Sequence, residues 1–190
     1  MGFFIIFIIF IIVIIFIFSS KKFSPIPYFP SQPVDIPLIV KALNLKNNQI
    51  IIDLGAGDGI VIFSVAQQSY KQKLNTKFVA VEINPVLILV LHLRRLFHPN
   101  KKNIKIVRDD IFKMDFSRYT QCTDAKFCVS TTFYLYISPW FLEKTILNIK
   151  NQVSKFSVVS YMYPLKFKAD FNKFKVINGK NKIHIYSIYS

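Results

Sequence analysis

Ile50-Ile51-Ile52-Asp53-Leu54-Gly55-Ala56-Gly57-Asp58-Gly59 joins a short β-branched run to a loop that holds three of the chain's five glycines. Three consecutive isoleucines without polar alternation suit a strand buried on both faces, as in the middle of a parallel sheet. Glycines directly after such a strand let the backbone turn sharply and approach a ligand closely. Asp58 to Tyr70 is predicted to be helical. Strand, glycine loop and helix in that order open an α/β unit whose ligands bind beyond the carboxyl ends of the strands.

Working outward, Phe78 to Val81 reads as a second strand, and Val86 to Phe97 as a helix with Pro85 in its first turn. Ile104 to Val107, Lys126 to Val129 and Phe156 to Ser160 continue the strand series, with helices at about Asp35 to Leu45 and Pro139 to Lys150. The runs FKVI and KIHIYSIY flank Asn178-Gly179-Lys180-Asn181 and read as a hairpin. The expected class is α/β, a Rossmann-like seven-stranded sheet closed by an antiparallel carboxy-terminal hairpin.

The charges around the glycine loop indicate its ligand. The pattern is G-x-G-x-G, and Ile60 stands where a dinucleotide fingerprint places its third glycine. Asp53 and Asp58 flank it, and carboxylates beside a pyrophosphate would repel it. A ligand carrying an ammonium and a sulfonium fits better, which points to S-adenosylmethionine and away from NAD or ATP. Glu82, at the tip of the second strand, is placed to take the hydroxyls of a ribose. Asp109-Asp110, beyond the third strand, can accept from an adenine amino group. The expected cofactor residues are Asp53, Gly55, Ala56, Gly57, Asp58, Gly59, Glu82, Asp109 and Asp110. The plainer readings are a helix cap for Asp58 and solvated loop charges for Glu82, Asp109 and Asp110. Asp53, at the end of a buried strand, needs a partner.

Through DLGAGDG at 53–59, VEINP at 81–85 and DDIF at 109–112 the chain resembles class I S-adenosylmethionine-dependent methyltransferases. Within that group it is most similar to the membrane-anchored protein-lysine methyltransferases of the ATP synthase and adenine nucleotide translocase type, and to their prokaryotic relatives. PYFPS at 27–31, Glu82-Ile83-Asn84-Pro85, YLYISP at 134–139 and VVSYMYP at 158–164 carry that likeness. The resemblance implies methyl transfer to a protein lysine. It departs at Ile60, where that subfamily commonly has Arg. Tyr134, Tyr136, Tyr161 and Tyr163, with Pro30 and Ser31, are candidates for the acceptor channel. Ser130-Thr131-Thr132-Phe133-Tyr134, read as following the fourth strand, lacks the Asp/Asn-Pro-Pro-Tyr that amide and base methyltransferases often use. An rRNA or small-molecule methyltransferase of the same fold, or a non-catalytic cofactor-binding module, are the alternatives.

Phe3 to Phe18 is an unbroken apolar run, about 24 Å long as a helix and apolar on every face, which reads as a membrane anchor. There is no basic stretch ahead of it and no small-x-small cleavage site behind it. Lys21 and Lys22 follow the run, placing the remainder on the cytoplasmic side, or at a mitochondrial membrane in a eukaryote. The expected division is an anchor over 1–20, a Pro-rich lead-in over 21–34 and a methyltransferase domain over 35–190. Hydrophobic residues make up 52% of the 190; without the first 18 positions the share falls to about 48%, an ordinary globular value.

The formal net charge is +15, with 25 basic and 10 acidic residues. The basic residues are mostly Lys, scattered singly, which favours a membrane-facing or solvated surface over RNA binding. A protein substrate, with membrane proteins among the candidates, is the expected partner. His92, His98 and His184 have no metal-ligand spacing with Cys122 or Cys128, so no metal is expected, and no Ser-His-Asp elbow is present.

Overall fold

The computed structural model describes residues 2–20, 23, 26–120, 130–166 and 173–189. Its strands are β1 (Gln49–Leu54), β2 (Thr76–Glu82), β3 (Ile104–Arg108), β4 (Ser130–Leu135), β5 (Lys155–Tyr161), β6 (Lys173–Asn178) and β7 (Lys182–Tyr189). Its helices are α1 (Gly2–Ser19), α2 (Ile36–Ala42), α3 (Ile60–Lys71), α4 (Pro85–Phe97) and α5 (Pro139–Lys150). The strands form one seven-stranded sheet in the order β3-β2-β1-β4-β5-β7-β6, parallel except for β7, which runs antiparallel to both β5 and β6.

Consecutive isoleucines of β1 serve opposite faces. Ile51 packs with Ile39, Ile62, Phe78 and Leu91 on the side of α2, α3 and α4. Ile52 packs with Phe133, Leu142, Ile146 and Phe156 on the side of α5. A strand covered on both sides has no solvated face, so its sequence has no alternation. β2 and β3 lie on one side of β1, β4 and β5 on the other. The crossovers therefore diverge at β1, and a crevice opens above the tips of β1 and β4. Register places Asp53 level with Ala80 of β2 and Tyr134 of β4.

Two boundaries differ from expectation. The strand expected at Lys126–Val129 lies outside the described residues, and the run read as the loop beyond it is β4 itself. Thr132 fits a buried strand because its hydroxyl accepts from Gln49 Nε2 at 3.0 Å, while Phe133 sits edge-on between Phe116 and Phe156. The loop beyond the fourth strand is thus Tyr136 to Ser138. α2 stops at Ala42 rather than Leu45, because Asn44 takes a left-handed conformation with φ of 46° and closes the helix.

Asp35 ties the start of the domain to its last hairpin. Its buried carboxylate accepts from Tyr161 Oη at 2.6 Å, from the amide of Lys180 at 2.7 Å and from the amide of Asn181 at 2.9 Å. Burial raises its pKa, but these donors outweigh that and hold the carboxyl below its usual value. A depressed pKa contributes stability that is present above about pH 4 and lost as acid protonates the group. Asp35→Ala, which strands three donors, is expected to cost about 3–5 kcal/mol of stability, read from chemical denaturation.

α1 is apolar on every side, with only Ile14, Ile17 and Phe18 of its final turns half-buried among its apolar residues. It is long and apolar enough to cross a membrane, and it touches α4.

Candidate functional site

The loop after β1 bends back beneath β2: the amides of Gly55 and Ala56 both donate to the carbonyl of Val81, at 3.0 and 2.9 Å. Two glycines are required there. Gly59 caps α3 at φ of 80°, and a Cβ on it would lie 2.6 Å from both Leu91 and Phe63. Gly57, at φ of 58°, lies under Tyr28, whose ring a Cβ would meet at 2.6 Å.

Glu82 holds the loop and the next turn together. One carboxylate oxygen accepts from Gly57 N at 2.8 Å; the other accepts from the amides of Ile83 at 2.8 Å and Asn84 at 2.9 Å. This network fixes the rotamer of a nearly buried acid at the tip of β2. Asp109 and Asp110 form successive turns of their own, accepting from the amides of Asp110 at 2.8 Å and Phe112 at 3.0 Å. All three acids line one cleft with Gly55, Ile83 and Phe112.

A second, smaller hollow adjoins it over the other side of the glycine loop, lined by Asp53, Gly57, Asp58, Ser31 and Tyr134. Tyr28, Phe29, Gly55 and Tyr136 border both spaces. Asp53 is 2% exposed. Burial first, then the charges of Glu82 and Asp58, push its carboxyl up to about 8. Among the described residues no cation is paired with it. Asp58 differs: it accepts from Arg94 at 2.9 Å, which also donates to its carbonyl at 2.6 Å, and it accepts from Ile60 N at 3.2 Å. Gly59, not Asp58, occupies the cap position of α3, so the bond from Ile60 N closes an Asx-type turn just ahead of the helix, beside the hollow. Among the described residues, Asp58 is the only acid facing the two spaces that forms an ion pair; Asp53, Glu82, Asp109 and Asp110 form none.

The expected acceptor residues divide. Tyr134 Oη lies 2.8 Å from Ser31 Oγ, joining β4 to the lead-in, and burial raises its pKa well above the ordinary value. Tyr136 stands at the junction of the two spaces. Pro30 lines the second hollow. Tyr161 packs edge-on behind Tyr136, with centroids 4.9 Å apart, and its hydroxyl is turned to Asp35 and Asn181. Tyr163 packs against the cluster on the α5 side of the sheet. Neither Tyr161 nor Tyr163 borders the two spaces.

Sequence reasoning missed Tyr28 and Phe29, which lie across the glycine loop, and Met162. Met162 has φ of 72°, and its sulfur accepts from Tyr136 Oη at 3.9 Å. The aromatic doublet in PYFPS was a usable signal for the first two. A methionine in the left-handed region leaves none. Among the described residues no group of His, Cys, Asp and Glu is placed to hold a metal ion.

Acids at three successive strand tips, around a glycine loop, beneath an aromatic strap, define a class I S-adenosylmethionine-dependent methyltransferase fold. The chain belongs to the ribosomal RNA adenine dimethylase family, whose model matches residues 29–167. It is 28% identical over 100 residues to the ATP synthase c-subunit lysine N-methyltransferase of Caenorhabditis elegans, covering 50% of each chain. It is 26% identical over 82 residues to the "Probable ribosomal RNA small subunit methyltransferase A" of Methanosphaera stadtmanae, covering 43% of this chain and 28% of that one. The chain thus spans half or less of the length of these relatives. An RNA methyltransferase from Salinibacter ruber, solved with S-adenosyl-L-homocysteine, superposes with a TM-score of 0.66 at 17% identity, over 85% of this chain and 95% of that one. S-adenosylmethionine is the cofactor that family and fold imply, and a donor set holding a buried acid without a cation fits its positive charges.

Proposed function

We propose that this chain is an S-adenosylmethionine-dependent methyltransferase, tethered to a membrane through α1, that methylates a protein lysine. In this reading Asp53 meets the cofactor's ammonium, Glu82 its ribose hydroxyls and the Asp109-Asp110 turn its adenine, with Gly55 to Gly59 giving backbone contact. The bound cofactor supplies an electrophilic methyl on a sulfonium; the protein's part is to position the acceptor and exclude water.

The observation that carries the lysine reading is the composition of the junction between the two spaces. Tyr28, Phe29 and Tyr136 border both spaces, with Tyr134 in the second hollow and Ile137 in the first cleft, and the loop after β4, Tyr136-Ile137-Ser138, holds no Asn or Asp side chain to contact a base. A lysine must lose its proton before attack, at a cost of about 4–5 kcal/mol at pH 7. An aromatic, poorly hydrated channel lowers that cost and holds the approaching cation on ring faces. The lysine methyltransferase of C. elegans supports this acceptor. The second reading, an adenine base of ribosomal RNA, is supported by the family match and by the Methanosphaera relative.

The deciding experiment incubates the full chain in vesicles with methyl-labelled cofactor, cell membranes and ribosomal RNA. Label removed by protease and recovered as methyl-lysine supports the first reading; label removed by ribonuclease replaces it with the second. A finer test concerns the tyrosines. Tyr134→Phe, which deletes the bond to Ser31, is expected to lower kcat about 5- to 10-fold with cofactor affinity nearly unchanged. Tyr161→Phe is expected to lower thermal stability and leave kcat within about 2-fold.

A further inference from the structure

α4 has two apolar faces. Leu87 and Leu91 point into the core, but Leu89, Leu93, Leu96 and Phe97 form a contiguous outer stripe and are 60%, 50%, 60% and 89% exposed. Four large apolar side chains on one outward helix face exceed what scattered surface hydrophobics account for. Two further observations lie against the same helix. α1, the helix long enough to cross a bilayer, touches α4. At the carboxyl end of α4 an open groove is lined by Lys77, Arg95, Lys102, Lys105 and Arg118 and by no acid. Arg118 is paired with Asp115, and Lys105 lies over the ring of Tyr119.

We propose that the outer face of α4 is a bilayer-docking surface: Leu89, Leu93, Leu96 and Phe97 enter the interfacial layer beside α1, and the neighbouring cations contact anionic headgroups. This rests on the membrane-tether reading and extends it from a leash to a fixed seating. An amphipathic face with apolar residues on one side and cations at its edge matches an anionic lipid surface, where each Lys or Arg near the headgroups contributes about 1 kcal/mol. A nucleic-acid backbone would use the cations and leave the four apolar side chains in water.

The test uses the full chain with Cys122 and Cys128 replaced by Ser, a single cysteine at Leu93→Cys, Phe97→Cys or, as a control across the sheet, Asn151→Cys, and an environment-sensitive fluorophore. Chains are mixed with phosphatidylcholine vesicles with or without about one-third anionic lipid. Expected are quenching by brominated lipid and about 10-fold protection from aqueous iodide at 93 and 97, stronger with anionic lipid, and free iodide access at 151. Full-chain flotation with 93 and 97 as iodide-accessible as 151 overturns the docking face and leaves the tether intact. A full chain that does not float overturns both. Occlusion of 93 and 97 by ribosomal RNA rather than by vesicles overturns the lipid assignment.

Discussion

Replacing Glu82 by Ala is expected to weaken S-adenosylmethionine binding by about 10²–10³-fold, measured by titration calorimetry. The side chain holds the glycine loop through Gly57 N and sets the next turn through Ile83 N and Asn84 N. Charge-assisted bonds of this kind contribute about 1.5–3 kcal/mol each when their partner is left stranded. Two bonds from a bound diol, together with a loosened loop, account for the predicted loss at about 1.4 kcal/mol per decade. Glu82→Gln keeps one acceptor oxygen and is expected to fall between wild type and Ala. Wild-type affinity in the Ala variant would sink the assignment of this strand tip to the cofactor.

The second large effect depends on pH. Asp53 titrates near 8 in the free protein, so at pH 7 it is mostly protonated, whereas a cationic ligand binds its ionised form. Binding is therefore expected to release about one proton per site at pH 6–7. Affinity should climb up to about 10-fold per pH unit below 8 and level off above it. The stability of the free protein runs the opposite way. The folded state holds this proton more tightly than the unfolded chain does, so Asp53 costs increasing stability as pH rises from about 4 towards 8. Asp53→Asn should remove both slopes, raise the melting temperature at pH 8 and weaken the cofactor by about 100-fold or more. Calorimetry in two buffers of different ionisation enthalpy counts the proton. A binding curve flat from pH 6 to 8 would show that Asp53 does not meet the charge.

The half of the molecule built on β1 and β2 was legible because its signals are local. Three isoleucines, three glycines and an acid at each strand tip lie within short windows, and each has a chemical reason to be there. β4 was misread for a physical reason. Ser130-Thr131-Thr132 is a polar start to a buried strand, and Gln49, far away in sequence, is the partner that allows Thr132 to be buried there. The covering role of Tyr28 was equally hidden. A tyrosine in a proline-rich stretch shows nothing of the ring it lays over Gly57. Asp58 was legible as an acid beside the loop, but its pairing with Arg94 spans 36 residues and is invisible in a linear reading. The four tyrosines were grouped by residue type and strand position; only the fold separates Tyr134 and Tyr136, at the two spaces, from Tyr161 and Tyr163, which pack elsewhere.

The Asp35 tie has a consequence for the order in which the protein becomes functional. The lead-in that covers the glycine loop is fastened, 145 residues later in the chain, to the turn between the last two strands. During synthesis the β1 loop, its acids and its aromatic cover all emerge well before that turn exists. Ser31 can bond Tyr134 of β4 earlier, but the fastening through Asp35 is not made until the hairpin over 173–189 has formed and paired with β5. A chain interrupted before that point would carry every residue proposed to contact the cofactor and still lack this second fastening of the cover. Full closure over the glycine loop is therefore expected only once synthesis has run through the final hairpin.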